Sequence, residues 1–123
     1  MEISAYVLQG ILAAMFLIAG SGKITGSKMH VDNFTHWRLP QWFRVVTGLV
    51  EVASAVALVV GYWHPSWAAA GALVLGLTGV GGVLTHMRVK DPLKQTITIL
   101  VLGVLAFVLV FIRWQDLSSF PGF

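Results

Sequence analysis

The sequence predicts an all-α integral membrane protein, a four-transmembrane-helix bundle with a short interfacial helix between helices one and two. Three observations carry this. Four apolar runs, at about residues 3–20, 41–63, 67–87 and 95–112, are close to the ~20 residues that a helix needs to cross the hydrocarbon core. Hydrophobic residues make up 57% of the chain and charged residues 11%, against about 25% charged in a soluble domain. Finally, 123 residues amount to one domain, so four such runs have only lipid to be buried against.

The first run ends on Ala19, Gly20 and Ser21, small enough for a signal cleavage site, but Glu2 is acidic where a signal peptide is basic and further spans follow. It is therefore taken as helix one. The long loop after it holds Val31, Phe34 and Trp37 at every third position among His30, Asp32, Asn33 and His36, with Ser27 ahead as N-cap. This is the pattern of a short amphipathic helix lying in the interface. Pro40 ends it and opens helix two. A tight turn from Gly61 to Ser66 leads to helix three, and Asp91-Pro92 breaks the chain before helix four, with Asp91 near its N-terminal end.

Charge sets the expected orientation. Loops one and three share a side and carry Lys23, Lys28, Arg38, Arg44, Arg88, Lys90 and Lys94, whereas the other side has Arg113 alone. Positive residues stay in the cytoplasm, so both termini and the turn at Gly61 are expected outside it, in a bacterial plasma membrane. Tyr62, Trp63 and Trp67 then suit an outer aromatic belt, and Trp37 and Trp42 an inner one. The basicity reads as topology, with the lipid bilayer as the partner and no nucleic acid. The absence of cysteine excludes disulfides, thiolate metal ligation and an intramolecular dithiol relay. The four histidines lack metal-ligand spacing, so no metal is expected.

Glu51 is the acidic residue within a span. A charge at mid-span costs roughly 2.5–3.5 kcal/mol, and the nine Val and Leu residues of that helix return roughly 3–5, so insertion is tolerated while the carboxylate still calls for a role. Arg44, Thr47, Glu51 and Ser54 form one stripe at 3, 4, 3 spacing, which should face the bundle. Gln9, Ala13, Phe16, Gly20 and Lys23 form a matching stripe on helix one. Gly71, Gly76, Gly79 and Gly82 open helix three to close approach, and His86 ends it at the depth of Lys23. These residues suggest a polar pocket with Glu51 at its floor and Lys23, Arg44, His86 and Thr47 around it. Either that pocket holds a ligand, or Glu51 neutralises a neighbouring cation and locks the bundle.

Phe16, Ala19, Gly20, Lys23, Ile24 and Gly26, then Leu39, Pro40, Gly48 and Glu51, and on through the small-residue helix to His86, resemble the DoxX-like family of bacterial membrane proteins. The resemblance implies a compact four-helix bundle. It also implies kinship with membrane subunits of quinone-linked oxidoreductases, including those of thiosulfate oxidation and thiol redox defence. Without cysteine this chain does not exchange thiols itself. The expectation is a subunit that binds quinone or another lipophilic small molecule, with no covalently bound cofactor. In that reading Glu51 or His86 accepts a hydrogen bond or relays a proton, and electrons come from a partner redox subunit. A small proton-coupled transporter and a non-catalytic assembly subunit, alone or as a homo-oligomer, remain alternatives.

Overall fold

A computed structural model describes residues 2–121, all helical apart from short connections. The elements are α1 (Glu2–Thr25), α2 (Lys28–His36), α3 (Gln41–Val60), α4 (Pro65–Arg88), α5 (Leu93–Ile112) and α6 (Trp114–Leu117). Four of them, α1, α3, α4 and α5, are long and apolar enough to cross a membrane, so the chain is a multi-pass membrane protein. The helix α2 is the short element expected between the first two spans. Ser27 stands at its N-cap position, although its hydroxyl makes no capping hydrogen bond.

Each helix ends where the backbone dictates. Pro40 and Pro92, with extended φ and ψ, are the N-caps of α3 and α5. Past α4, Lys90 takes a φ of 61°, and the Asp91 N–H then turns back to donate to the His86 carbonyl at 2.9 Å. This is the six-to-one bond of a helix-closing motif that glycine usually provides. Past α2, Arg38 does the same at a φ of 57°, with the Leu39 N–H donating to the Phe34 carbonyl.

The spans pack in sequence order, α1 on α3, α3 on α4 and α4 on α5. Glycines let all three pairs meet at the backbone, α4 reaching α3 where a Cβ on Gly71 would lie 2.8 Å from the Ser54 carbonyl oxygen. A Cβ on Gly20 would lie 2.8 Å from the Gly48 carbonyl oxygen, and one on Gly48 would lie 2.7 Å from that of Gly20. Likewise a Cβ on Gly79 would lie 2.8 Å from the Gly103 Cα, so α4 and α5 touch there. Van der Waals contact at such small-residue crossings is what drives helix association in lipid.

Packing is unequal along the bundle. The apolar core, with Leu12, Phe16, Leu58, Leu75 and Leu109 among its fully buried members, belongs to the half remote from the basic loops. At that end the Gln9 Nε2 donates to the Leu58 carbonyl at 2.7 Å, and Arg113 grips Glu2 through two hydrogen bonds of 3.0 and 3.3 Å. Arg113, the cation expected alone on that side, is thus buried and neutralised. The half nearer the basic loops is hollow.

Candidate ligand-binding cavity

The hollow half carries a half-open cavity of about 740 Å³, within the range of small-molecule sites. All five longer helices line it. The walls are mostly apolar, among them Met15, Phe16, Phe43, Val50, Ile99 and Leu102, while α2 closes one side with Met29, His30, Asn33, Phe34 and Trp37. Polar groups enter from every helix: Lys23 from α1, His30 and Asn33 from α2, Thr47 and Glu51 from α3, Thr85 and His86 from α4, Gln95 and Thr98 from α5. Gly81 also lines it, and a Cβ built there meets nothing within 4 Å.

Glu51 is buried and forms an ion pair with Lys23, Nζ to Oε1 at 2.8 Å. The Gly20–Gly48 crossing makes it possible. It brings the Glu51 Cβ within 3.1 Å of a Cβ position on Gly20, and the Lys23 Cβ within 2.9 Å of one on Gly48. Helical side chains lean towards the N-terminus, which carries Lys23 down α1 to the carboxylate.

Arg44 is not part of this cavity. Its guanidinium donates to the Lys23 carbonyl and, through Nε, to Gln41 Oε1 at 2.7 Å. The Gly26 and Ser27 N–H groups both turn to the Gly22 carbonyl, so the Lys23 carbonyl, at the negative end of the helix dipole, is left to draw a neighbouring cation. Thr47 lines the cavity, but its hydroxyl donates to the Phe43 carbonyl of its own helix at 2.8 Å.

His86 lines the cavity and belongs to a cluster that the sequence does not announce. Its Nδ1 is 2.7 Å from Asp91 Oδ2. The same carboxylate accepts from His36 Nε2 at 2.7 Å and from Trp37 Nε1 at 3.2 Å. Asp91, one residue ahead of the N-cap of α5, is therefore also a clamp joining α2 to the end of α4. Hydrogen bonding, from His36 above all, holds its carboxyl below the usual aspartate value, against the opposing effect of burial. Trp37, expected in an interfacial belt, instead turns inward, its ring edge-on to His86 at 5.1 Å. Arg88 fixes it further by donating to its carbonyl.

His30 is buried with its ring against Gly22, where an added Cβ would lie 2.9 Å from the imidazole. Burial holds its pKa below the ordinary value, and the cations Lys23 and Arg44 push it in the same direction. Among the described residues, no three histidine or acidic side chains are arranged to hold a metal ion.

The chain is 28% identical to the uncharacterized protein YdgD of Bacillus subtilis (strain 168) over 107 residues, an alignment covering 85% of this chain and 93% of that one. No solved structure matches it significantly. The sequence profile of the DoxX-like family matches residues 7–109, from α1 almost to the end of α5 and so across the whole cavity, and the chain belongs to that family.

Proposed function

We propose that the protein binds a lipophilic small molecule, of the quinone class, in the cavity between its spans, and serves a membrane oxidoreductase system as a ligand-binding subunit. The observation that carries this reading is the cavity itself. A volume of about 740 Å³, apolar walls and a few polar groups suit an apolar molecule with a polar head. A bundle with no such role would gain contact energy by closing that space. The Lys23–Glu51 pair serves two purposes: it ties α1 to α3 and forms a polar end for the ligand. Electrons come from a partner redox subunit.

The basic residues set the orientation in this reading, with α2 and the cavity on the cytoplasmic side and both termini outside. Because the native chain has no cysteine, single cysteines at Lys28 and Ser118 give a clean test. A membrane-impermeant maleimide added to intact cells should label position 118 and spare position 28, and the reverse pattern inverts the topology.

The ligand is tested by purifying the protein in mild detergent and extracting it with organic solvent. The expected result is a quinone in near-stoichiometric amount in the wild type, much reduced in Glu51→Gln. Wild-type protein without extractable quinone, and not stabilised by added quinone, contradicts the assignment.

A further inference from the structure

We propose that His86 is the proton acceptor of the cavity, with Asp91 as the positioning residue that turns its Nε2 lone pair to a hydroxyl-bearing lipophilic ligand. This rests on the reading that the cavity binds such a molecule, and adds the ligand's chemistry: an acidic hydroxyl of the phenol class.

Three features of the geometry converge. An ionised carboxylate only accepts hydrogen bonds, so the nitrogen of His86 that faces Asp91 at 2.7 Å must carry hydrogen. In the neutral ring that leaves Nε2 without one, as an acceptor. The ring is also held in place. Asp91 binds one edge, the Trp37 ring packs against it, and the backbone bond from Asp91 N–H to the His86 carbonyl fixes the spacing of the two residues. Finally, the Asp91 side chain is 5% exposed and takes hydrogen bonds from three side chains, so it stays in one orientation.

The transfer balances simply. The ligand O–H bond breaks, an Nε2–H bond forms, and the resulting imidazolium is paired with Asp91 while the ligand oxygen keeps the negative charge. The other ionisable groups lining the cavity are Lys23 from α1, His30 from α2 and Glu51 from α3, and α5 adds the neutral Gln95 and Thr98. Lys23 and Glu51 are engaged with each other, and Arg88 with the Trp37 carbonyl. His36 shares Asp91, but its side chain is 55% exposed and it is not among the cavity-lining residues. The control is His64, which stands at the N-cap of α4 at the opposite end of the bundle and is not a cavity-lining residue.

The test uses full-length protein in nanodiscs with ¹⁵N-labelled histidine, and 4-nitrophenol as probe because its phenolate absorbs visible light. Ring ¹⁵N shifts should show neutral His86 as the Nδ1–H tautomer, changing to Nε2–H in Asp91→Asn and unchanged in His64→Gln. Below the probe's own ionisation midpoint, saturating probe should show a phenolate band that is lost in His86→Gln and kept in His64→Gln. A wild-type Nε2–H tautomer, or a phenolate band indifferent to His86→Gln, overturns the proposal while saturable probe binding leaves the cavity reading standing. Probe uptake no greater than by empty nanodiscs contradicts both.

Discussion

Lys23 and Glu51, 28 positions apart in sequence, form an ion pair of 2.8 Å inside the bundle, each three residues past the glycine at which its helix crosses the other. The pair is nearly dry, with side chains 13% and 3% exposed. Removing one partner leaves an uncompensated charge, which costs about 3–5 kcal/mol in a buried setting, whereas replacing both with apolar residues of similar volume is often close to neutral. Lys23→Met and Glu51→Leu alone should each lower the melting temperature in detergent strongly, and the double variant should recover most of the loss. Additive losses in the double-mutant cycle would show that the two charges do not act as a pair.

Two glycines of the spans should respond in opposite ways to the same change. Gly48→Ala puts a methyl group against the Gly20 backbone, where neither helix has a flexible atom to yield, and should cost about 1–3 kcal/mol. Gly81→Ala puts the same methyl into open space and should be neutral or stabilising by up to about 1 kcal/mol, because alanine favours the helix. Thermal unfolding of both variants in one detergent checks the contrast.

Helical periodicity made the bundle-facing residues legible in the sequence. Gln9, Ala13, Phe16 and Gly20 are all buried on one face of α1, as are Glu51 and Ser54 on α3, because spacings of three and four place them on the bundle side. Lys23, Glu51 and His86 line the cavity for the same reason. Arg44 lies on that stripe too, but its long side chain is captured by the Lys23 carbonyl and the Gln41 side chain, which no spacing reveals. The Asp91 clamp was hidden more deeply. Five residues is not a helical repeat, and His86 meets Asp91 only because Lys90 adopts a left-handed φ without being a glycine. His36 and Trp37 join the same carboxylate across more than 50 positions, a contact set by how α2 folds back over the spans.

Acid should loosen the α2 side of the cavity in two windows. The folded pKa of His30 lies below 6.5, so the unfolded chain binds a proton first, and stability falls as pH drops through 6.5 towards the folded value. The Asp91 carboxyl is likewise depressed from 3.8, so its contribution is full above that pH and is lost as the folded carboxyl protonates below it. Melting temperatures across pH should show both slopes. His30→Phe should flatten the upper window and Asp91→Asn the lower, and slopes unchanged in these variants would assign the acid response to other groups.

If the hollow half of the bundle holds a lipophilic molecule, Gly81 allows that to be tested without touching a charge. Gly81→Phe adds a ring at the cavity wall and substitutes none of Lys23, Glu51, His86 and Asp91. The decisive measurement is the amount of lipophilic small molecule extracted per mole of purified protein, wild type against Gly81→Phe, with melting temperatures recorded alongside. A ligand-holding cavity predicts near-stoichiometric ligand in the wild type and little in the variant, which should unfold at a similar temperature when both are stripped of ligand. Equal amounts in the two proteins, or none in either, would contradict it.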